Sequence, residues 1–365
     1  MLLPGLTAAN GMLSLYPTSL LTLLTHMGSI ADSSKSTILG TDASQHQPHS
    51  RFPPHLHRRL NLPMTSRLFT TCLVTLALIS CSDGKTTKYD FKQGCVAEVY
   101  KEASGDKLWI YRFDPPQKKD NAKPAVVFFF GGAWNGGTVS QFEQHARYLA
   151  SRGIVSFVAD YRVKTRQNTQ PDACVADGKS AIRWVRKNAT RLGIDPSRIA
   201  AGGGSAGGHV AATTGICDGL DAPEEKDSEI SSKADALLLF NPVYDNGPKG
   251  YGHSRAKQWF PAISPAHNIS KDDPPTIVFL GSSDKLIPVS TAEKFDADLK
   301  ALGIQSELWV YDGQPHGFFN ESKNQKAFLD TVRKMDSFLQ SIDWLNGPVD
   351  EDTLTSLLKT KPKQR

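Results

Sequence analysis

The sequence predicts an α/β domain: a mostly parallel central sheet with helices on both faces. Three observations carry that expectation. Short apolar runs alternate with stretches of helical spacing between residues 96 and 339. Some of these runs, residues 125–130 above all, are apolar without a break, as a strand covered on both faces should be. Helical stretches end on glycine, at Gly153, Gly193 and Gly303, where a left-handed residue closes the last turn.

Taken in order, residues 96–100 and 108–113 are β-rich runs around Ser104-Gly105-Asp106 and predict a hairpin that opens the sheet. A polar, Lys-rich connection over 115–124 leads to the buried strand at 125–130. Residues 142–152 carry Phe142, Ala146 and Leu149 at helical spacing, and 154–159 form a second buried strand. A long helix over 174–192 sets Val175, Ala181, Ile182 and Val185 on one side. Residues 198–201 are a strand that feeds a Gly-rich turn, and a helix starts at Val210. Two more apolar strands follow at 236–240 and 276–280, then a helix at 289–302, a strand at 307–311 and a helix at 327–339. Residues 241–269 break the rhythm with Pro, Gly, Tyr, Trp and His, which predicts a lid or binding loop. The domain is expected to span 81–345, and the polar tail at 346–365 to be loose.

Residues 1–80 do not share this rhythm. Residues 1–63 include a Ser/His/Pro/Arg-rich run that buries too little apolar surface to offset the entropy of ordering it. They read as a disordered extension upstream of the true start; a basic or metal-binding arm is the alternative. Met64-Thr65-Ser66-Arg67, the apolar run 68–79 and the small residues after it form a secretory signal, residues 64–80, too short to span a bilayer. Translation is expected to begin at Met64. Leu78-Ile79-Ser80-Cys81 resembles the lipobox of bacterial lipoproteins, which implies export and a lipid anchor on Cys81; an ordinary cleaved signal or a buried helix is the alternative.

The chain has 365 residues and a net charge of +5, but residues 1–80 hold five of the 42 basic and two of the 37 acidic side chains. The remainder is close to neutral, which argues against a nucleic-acid partner. Cys95, Cys174 and Cys217 are an odd number without metal-ligand spacing. No metal or cofactor motif is expected, and a disulfide among the three stays open.

Ligands of such sheets meet the carboxyl ends of the strands, and four stretches just past expected strands hold the candidate chemistry. Gly203-Gly204-Ser205-Ala206-Gly207 fits G-x-S-x-G, the strand-to-helix turn that lifts a serine hydroxyl clear of a sheet. A flexible loop or a phosphate cradle is the alternative, although no Gly-Lys-Ser/Thr follows. Gly131-Gly132-Ala133-Trp134-Asn135-Gly136-Gly137 follows the Phe-rich strand. Its glycines let backbone N–H groups face an oxyanion, or simply make a tight turn. Gly281-Ser282-Ser283-Asp284 and Asp312-Gly313-Gln314-Pro315-His316-Gly317 follow the last two strands.

A serine hydroxyl is a poor nucleophile at neutral pH. It needs an imidazole to take its proton and a carboxylate to hold that imidazole in the right tautomer. Ser205, Asp284 and His316 follow that chain order, each past a different strand. Their rivals read as structural. His209, one turn beyond Ser205, reads as a packing residue; His145 falls in a surface-type helix; His253 and His267 belong to the expected lid. Asp272 and Asp273 precede a Pro-Pro pair, Asp296 and Asp298 lie on a solvated helix face, and Asp312 sits where it can orient the His316 turn.

Together the four motifs resemble those of α/β-hydrolases of the acetyl esterase and hormone-sensitive-lipase-like group, over residues 85–339. They are most similar to bacterial acetylxylan-esterase-like or feruloyl-esterase-like proteins. Phe129-Phe130-Gly131-Gly132-Ala133-Trp134 is similar to that family's His-Gly-Gly-Gly-Trp loop, with Phe130 in place of histidine and Ala133 in place of the third glycine. The resemblance implies the α/β-hydrolase fold and a serine carboxylesterase that hydrolyses short-chain, notably acetyl, esters of small molecules or polysaccharides. It implies Ser205 as nucleophile, His316 as base and Asp284 as acid. It also implies an oxyanion hole from the N–H of Ala206 and of Gly131 or Gly132. Trp134, Trp259, Phe260 and Tyr251 are candidates to line a sugar-binding cleft, with plain packing as the alternative. A peptidase of the prolyl-oligopeptidase kind, a long-chain lipase and a non-catalytic binding protein on the same scaffold are the alternatives. The first usually carries Tyr after the serine, where this chain has Ala206.

Overall fold

Strands β1 (Val96–Ala103), β2 (Asp106–Phe113), β3 (Lys123–Phe129), β4 (Val155–Ala159), β5 (Ile194–Gly204), β6 (Ala236–Phe240), β7 (Thr276–Gly281) and β8 (Ser306–Tyr311) form one sheet in the order β1-β2-β4-β3-β5-β6-β7-β8. The computed structural model describes residues 87–91, 94–116 and 121–359. The segments expected at 1–63 and 64–80, and Cys81, lie outside the described residues. β2 runs antiparallel to both neighbours, and every other pair is parallel. The expected hairpin closes between Ala103 and Asp106 through Ser104 and Gly105. Both turn residues have positive φ (55° and 84°), the twist a two-residue hairpin needs.

The helices are α1 (Glu143–Ser151), α2 (Lys164–Gln167), α3 (Pro171–Lys187), α4 (Ala189–Leu192), α5 (Ala206–Ile216), α6 (His253–Ala256), α7 (Val289–Ala301), α8 (Gln325–Ser341) and α9 (Glu351–Ser356). Neighbouring residues of β3 show how they divide between the two faces. Phe128 stacks on Phe142, just before α1, while Phe129 reaches Gly178 of α3 on the other side. β4, β6 and β7 are buried throughout, as continuous apolar runs in a parallel sheet should be. β8 is the exposed edge, with Trp309 and Val310 about 40% accessible (40% and 41%).

Three expectations change. The helix expected over 174–192 breaks at Asn188, whose side-chain amide donates to the Trp184 carbonyl at 2.8 Å and ends α3. The tail expected to be loose is built in through residue 359. Asp350 caps α9 by accepting from the Thr353 N–H, Arg333 pairs with Glu351 at 2.6 Å, and Leu354 is fully buried. An acidic cap followed by leucines at 354, 357 and 358 is an amphipathic helical turn, hidden in the sequence by its Lys-rich surroundings. His145, placed on a surface-type helix, is instead enclosed by Phe128, Phe142, Phe240, Phe319 and Phe328. Neither ring nitrogen has a partner among the described residues, and burial pulls its pKa down to about 3.

The interruption at 241–269 folds into α6, a turn at Pro265–His267 and tight loops. Its Ala256 and Ile263 pack with Val175 of α3. Cys95, Cys174 and Cys217 are free thiols. Among the described residues, no helix is long and apolar enough to cross a membrane.

Candidate active site

The turn from β5 into α5 forces Ser205 to φ 54° and ψ −119°, a conformation L-residues avoid unless the surroundings impose it. Two glycines make it possible through space rather than through φ. A Cβ on Gly203 would strike the Gly207 backbone, and one on Gly207 would strike the carbonyls of Phe129 and Phe130. Strand β3, strand β5 and helix α5 therefore meet in backbone contact. The Ser205 N–H donates to the Phe240 carbonyl at 3.0 Å, and the Ser205 carbonyl accepts from His209 and Val243. The hydroxyl is left at the open, positive end of α5.

The other two candidates converge on it. Asp284 lies in the turn after β7 and His316 in the turn after β8, and the turns brace each other: Ser282 N–H donates to Tyr311 O at 2.9 Å and Ser283 N–H to Gln314 O at 3.0 Å. His316 Nδ1 donates to Asp284 Oδ2 at 2.7 Å, and His316 Nε2 lies 2.9 Å from Ser205 Oγ. The Asp284 side chain has no solvent exposure, and its Oδ1 accepts from the N–H groups of Leu286 and Ile287 at 2.8 and 3.1 Å. Burial alone would raise its pKa. The His316 N–H and the two amides outweigh that, so the carboxyl sits below its ordinary value and stays ionised.

The glycine loop after β3 completes the site. Its first N–H is already taken: Gly131 donates to Gln141 Oε1 at 2.6 Å. The N–H groups of Gly132 and Ala206 have no such partner among the described residues, and Gly132 is exposed. Of the expected donors, Gly131 is therefore engaged elsewhere, while Gly132 and Ala206 are free to face an oxyanion. Phe130, which replaces the histidine of the similar family loop, stacks on Tyr161 at 4.2 Å, and the Tyr161 hydroxyl donates to the Phe130 carbonyl at 2.6 Å. Ring stacking and the Tyr161 hydroxyl anchor the loop here, in place of the hydrogen bonds that a histidine would give. Ala133 and Trp134 both have positive φ (53° and 55°). Arg255 holds that strained turn by donating to the Ala133 carbonyl, and Lys164 by donating its N–H to Trp134 O at 3.0 Å.

The rivals resolve by position. His209 is fully buried, donates its Nε2–H to the Ile263 carbonyl at 2.8 Å, and is pulled by burial to a pKa of about 4. His253 and His267 bond to Asn246 O and Ser264 Oγ within their own segment. Asp312 accepts from Ser282 Oγ at 3.2 Å. The aromatic cleft does not form as expected. Trp134 is fully buried against His209, Trp259 lines a separate cleft beside Asp172 and Glu224, and Phe260 packs on His267. Only Tyr251 of the four reaches the pocket over Ser205, which has a volume of about 280 Å³ and opens broadly to solvent. Leu286 and Phe319 supply its remaining apolar wall. Sequence reasoning missed three side-chain amides there, Gln141, Asn241 and Asn320.

Comparison with known proteins bears on this geometry. A family model described as BD-FAE matches residues 110–245, and one described as the prolyl oligopeptidase family matches residues 230–342. Esterase 2 of Thermogutta terrifontis, in a structure phosphorylated by paraoxon, is 42% identical with a TM-score of 0.65, covering 70% of this chain and 96% of that one. Its apo form is 41% identical with a TM-score of 0.67, covering 72% and 100%. Isoprenylcysteine alpha-carbonyl methylesterase ICME of Arabidopsis thaliana is 30% identical over 69% of this chain and 63% of its own length. Esterase LipC of Mycobacterium tuberculosis is 30% identical over 57% and 59%. The chain thus spans less than two thirds of the curated relatives it matches.

Proposed function

The chain belongs to the α/β-hydrolase esterase family, and from that premise we propose that it is a serine carboxylesterase acting on short-chain esters, acetyl esters first. The observation that carries this reading is the single line of contacts from Asp284 through His316 to the Ser205 hydroxyl. In the proposed reaction, Ser205 Oγ attacks the ester carbonyl as His316 Nε2 takes its proton. Asp284, ionised and buried, stabilises the imidazolium and fixes its tautomer. The N–H groups of Gly132 and Ala206 receive the oxyanion, each worth about 2.7–4 kcal/mol in a site of this kind. Protonated His316 then gives its proton to the leaving alcohol, and water reverses the sequence on the acyl-enzyme.

The small pocket supports a short acyl group. Thermogutta terrifontis esterase 2, solved with propionate and with butyrate bound, supports the same choice. The open mouth leaves the alcohol part unrestricted in size, so a polysaccharide hydroxyl fits this reading as well as a small alcohol. Ser205→Ala should abolish hydrolysis of p-nitrophenyl acetate while leaving the circular dichroism spectrum intact; full activity in that variant ends the proposal. Paraoxon should label Ser205 and no other residue, read by peptide mass. The match of residues 230–342 to the prolyl oligopeptidase family favours a second reading, cleavage of a peptide amide. Turnover of a Pro-p-nitroanilide faster than of the acetate ester would make that reading the better one.

We also propose export through residues 64–80 and lipidation of Cys81, on the sequence pattern alone. Intact mass from a membrane fraction tests it: a polypeptide that retains residues before Cys81 refutes it.

A further inference from the structure

Three side-chain amides far apart in the chain meet around Ser205, and two backbone N–H groups fix which way each one points. At one end, the Gly131 N–H can only donate, so the atom facing it at 2.6 Å is the Gln141 carbonyl oxygen. Gln141 Nε2 must then donate onward, and it meets Asn320 Oδ1 at 3.0 Å. Asn320 Nδ2 in turn donates to the Gly317 carbonyl at 2.8 Å. At the other end, the Gly317 N–H donates to Asn241 Oδ1 at 2.8 Å, which aims Asn241 Nδ2 at His316 Nε2, 3.4 Å away. Asn241 is completely buried, and turning its amide over would break the bond from the Gly317 N–H.

We propose that Gln141, Asn320 and Asn241 are positioning residues forming one hydrogen-bonded belt, which sets the oxyanion loop and the His316 turn at a fixed separation and keeps the lone pair of His316 on Nε2. The inference rests on the esterase reading of the site. The belt runs from the loop that bears Gly132 to the residue beside His316, so both ends of the reacting carbonyl are registered by the same chain of amides. Its occupation of the Gly131 N–H also explains why Gly132 is the loop donor left for the oxyanion. At the histidine, the Asn241 amide N–H at 3.4 Å and the Ser205 hydroxyl at 2.9 Å both face Nε2, and two donors there favour a nitrogen that carries no proton. The proton is then on Nδ1, against Asp284, which is the form a general base requires.

The experiment measures kcat and KM for p-nitrophenyl acetate with Gln141→Ala, Asn320→Ala and the double variant, beside wild type and Ser205→Ala. If these amides act through alignment, although they also line the pocket, each single change should lower kcat by about tenfold or more with KM within about threefold. The double variant should be no worse than the poorer single, since either change cuts the same chain. Independent losses that multiply in the double variant, or a raised KM with unchanged kcat, overturn the belt. Asn241→Asp provides a second readout in a variant that keeps the acceptor for Gly317. A carboxylate beside His316 favours the imidazolium, so the acid limb of kcat/KM should move up by about one pH unit; an unmoved limb overturns the role given to Asn241. If Ser205→Ala retains activity, the esterase reading falls first and the belt with it. If Ser205→Ala is inactive while the belt variants match wild type, only the belt falls.

Discussion

Replacing His145 with leucine should remove about half of the acid sensitivity that two buried histidines give this fold. His145 and His209 are neutral in the folded protein, with burial holding them at about 3 and about 4, against 6.5 for a free imidazole. Both shifts are downward, so the unfolded chain takes up protons below pH 6.5 that the folded chain refuses. Stability therefore falls as pH drops from 6.5 towards 4 and is unaffected above that window. At pH 5 each histidine should account for about 2 kcal/mol, together about 4, of a total usually between about 5 and 15 kcal/mol. Asp284 does not contribute in this window: its carboxyl is depressed below 3.8, so the stability it gives is lost only at more acid pH. Leucine fills nearly the volume of the imidazole in the five-phenylalanine cage and removes two unpartnered nitrogens. At pH 7.5 the variant should lie within about 1.5 kcal/mol of wild type. Guanidinium unfolding at pH 7.5 and pH 5.0 gives the comparison. Wild type should lose about 4 kcal/mol between the two and the variant about 2. An equal loss in both proteins would show that His145 titrates freely and that the cage does not exclude its charge.

Further outcomes follow from other parts of the structure. Gly132→Ala places a Cβ against the Gly136 carbonyl at a residue whose φ is 136°, so the loop N–H must shift and kcat for p-nitrophenyl acetate should fall by about 10²–10³. An unchanged kcat would remove Gly132 from the proposed oxyanion hole. Leu354→Ala empties a fully buried position in α9 and should cost about 2–5 kcal/mol in chemical denaturation; a loss under 0.5 kcal/mol, the range typical of surface changes, would return the tail to a loose state. Leu286→Trp narrows the pocket mouth and should lower kcat/KM for the butyryl ester about tenfold more than for the acetyl ester. Parallel losses on the two esters would show that Leu286 does not contact the acyl chain.

The sheet was legible because each buried strand is a short apolar run between turn residues, a pattern that tertiary context reinforces. The positions of Ser205, Asp284 and His316 were legible for a related reason: each follows a strand, and strand ends in a parallel sheet gather on one rim. What escaped depended on contacts between side chains remote in sequence. Nothing near Gln141 marks it as the partner of Gly131 or of Asn320, 179 residues away. His145 looked exposed because Glu143, Gln144 and Arg147 flank it, yet its own position in α1 faces Phe128 and Phe240. Trp134 looked like a sugar platform, but a left-handed turn at Ala133 and Trp134 directs its ring into the core against His209. Periodicity records which residues can be buried; it does not record a backbone turn that redirects one of them.

The backbone contact among Gly203, Gly207, Phe129 and Phe130 also constrains how this scaffold can diverge. Around Ser205 neither Gly203 nor Gly207 can gain a side chain without pushing main chain apart, so duplicated copies of the gene have little latitude there. Tyr251 and Leu286 stand at the rim on separate loops and carry no such constraint. For the proposed esterase, new acyl preferences should therefore arise by exchange at those two rim positions, with the turn around Ser205 inherited intact.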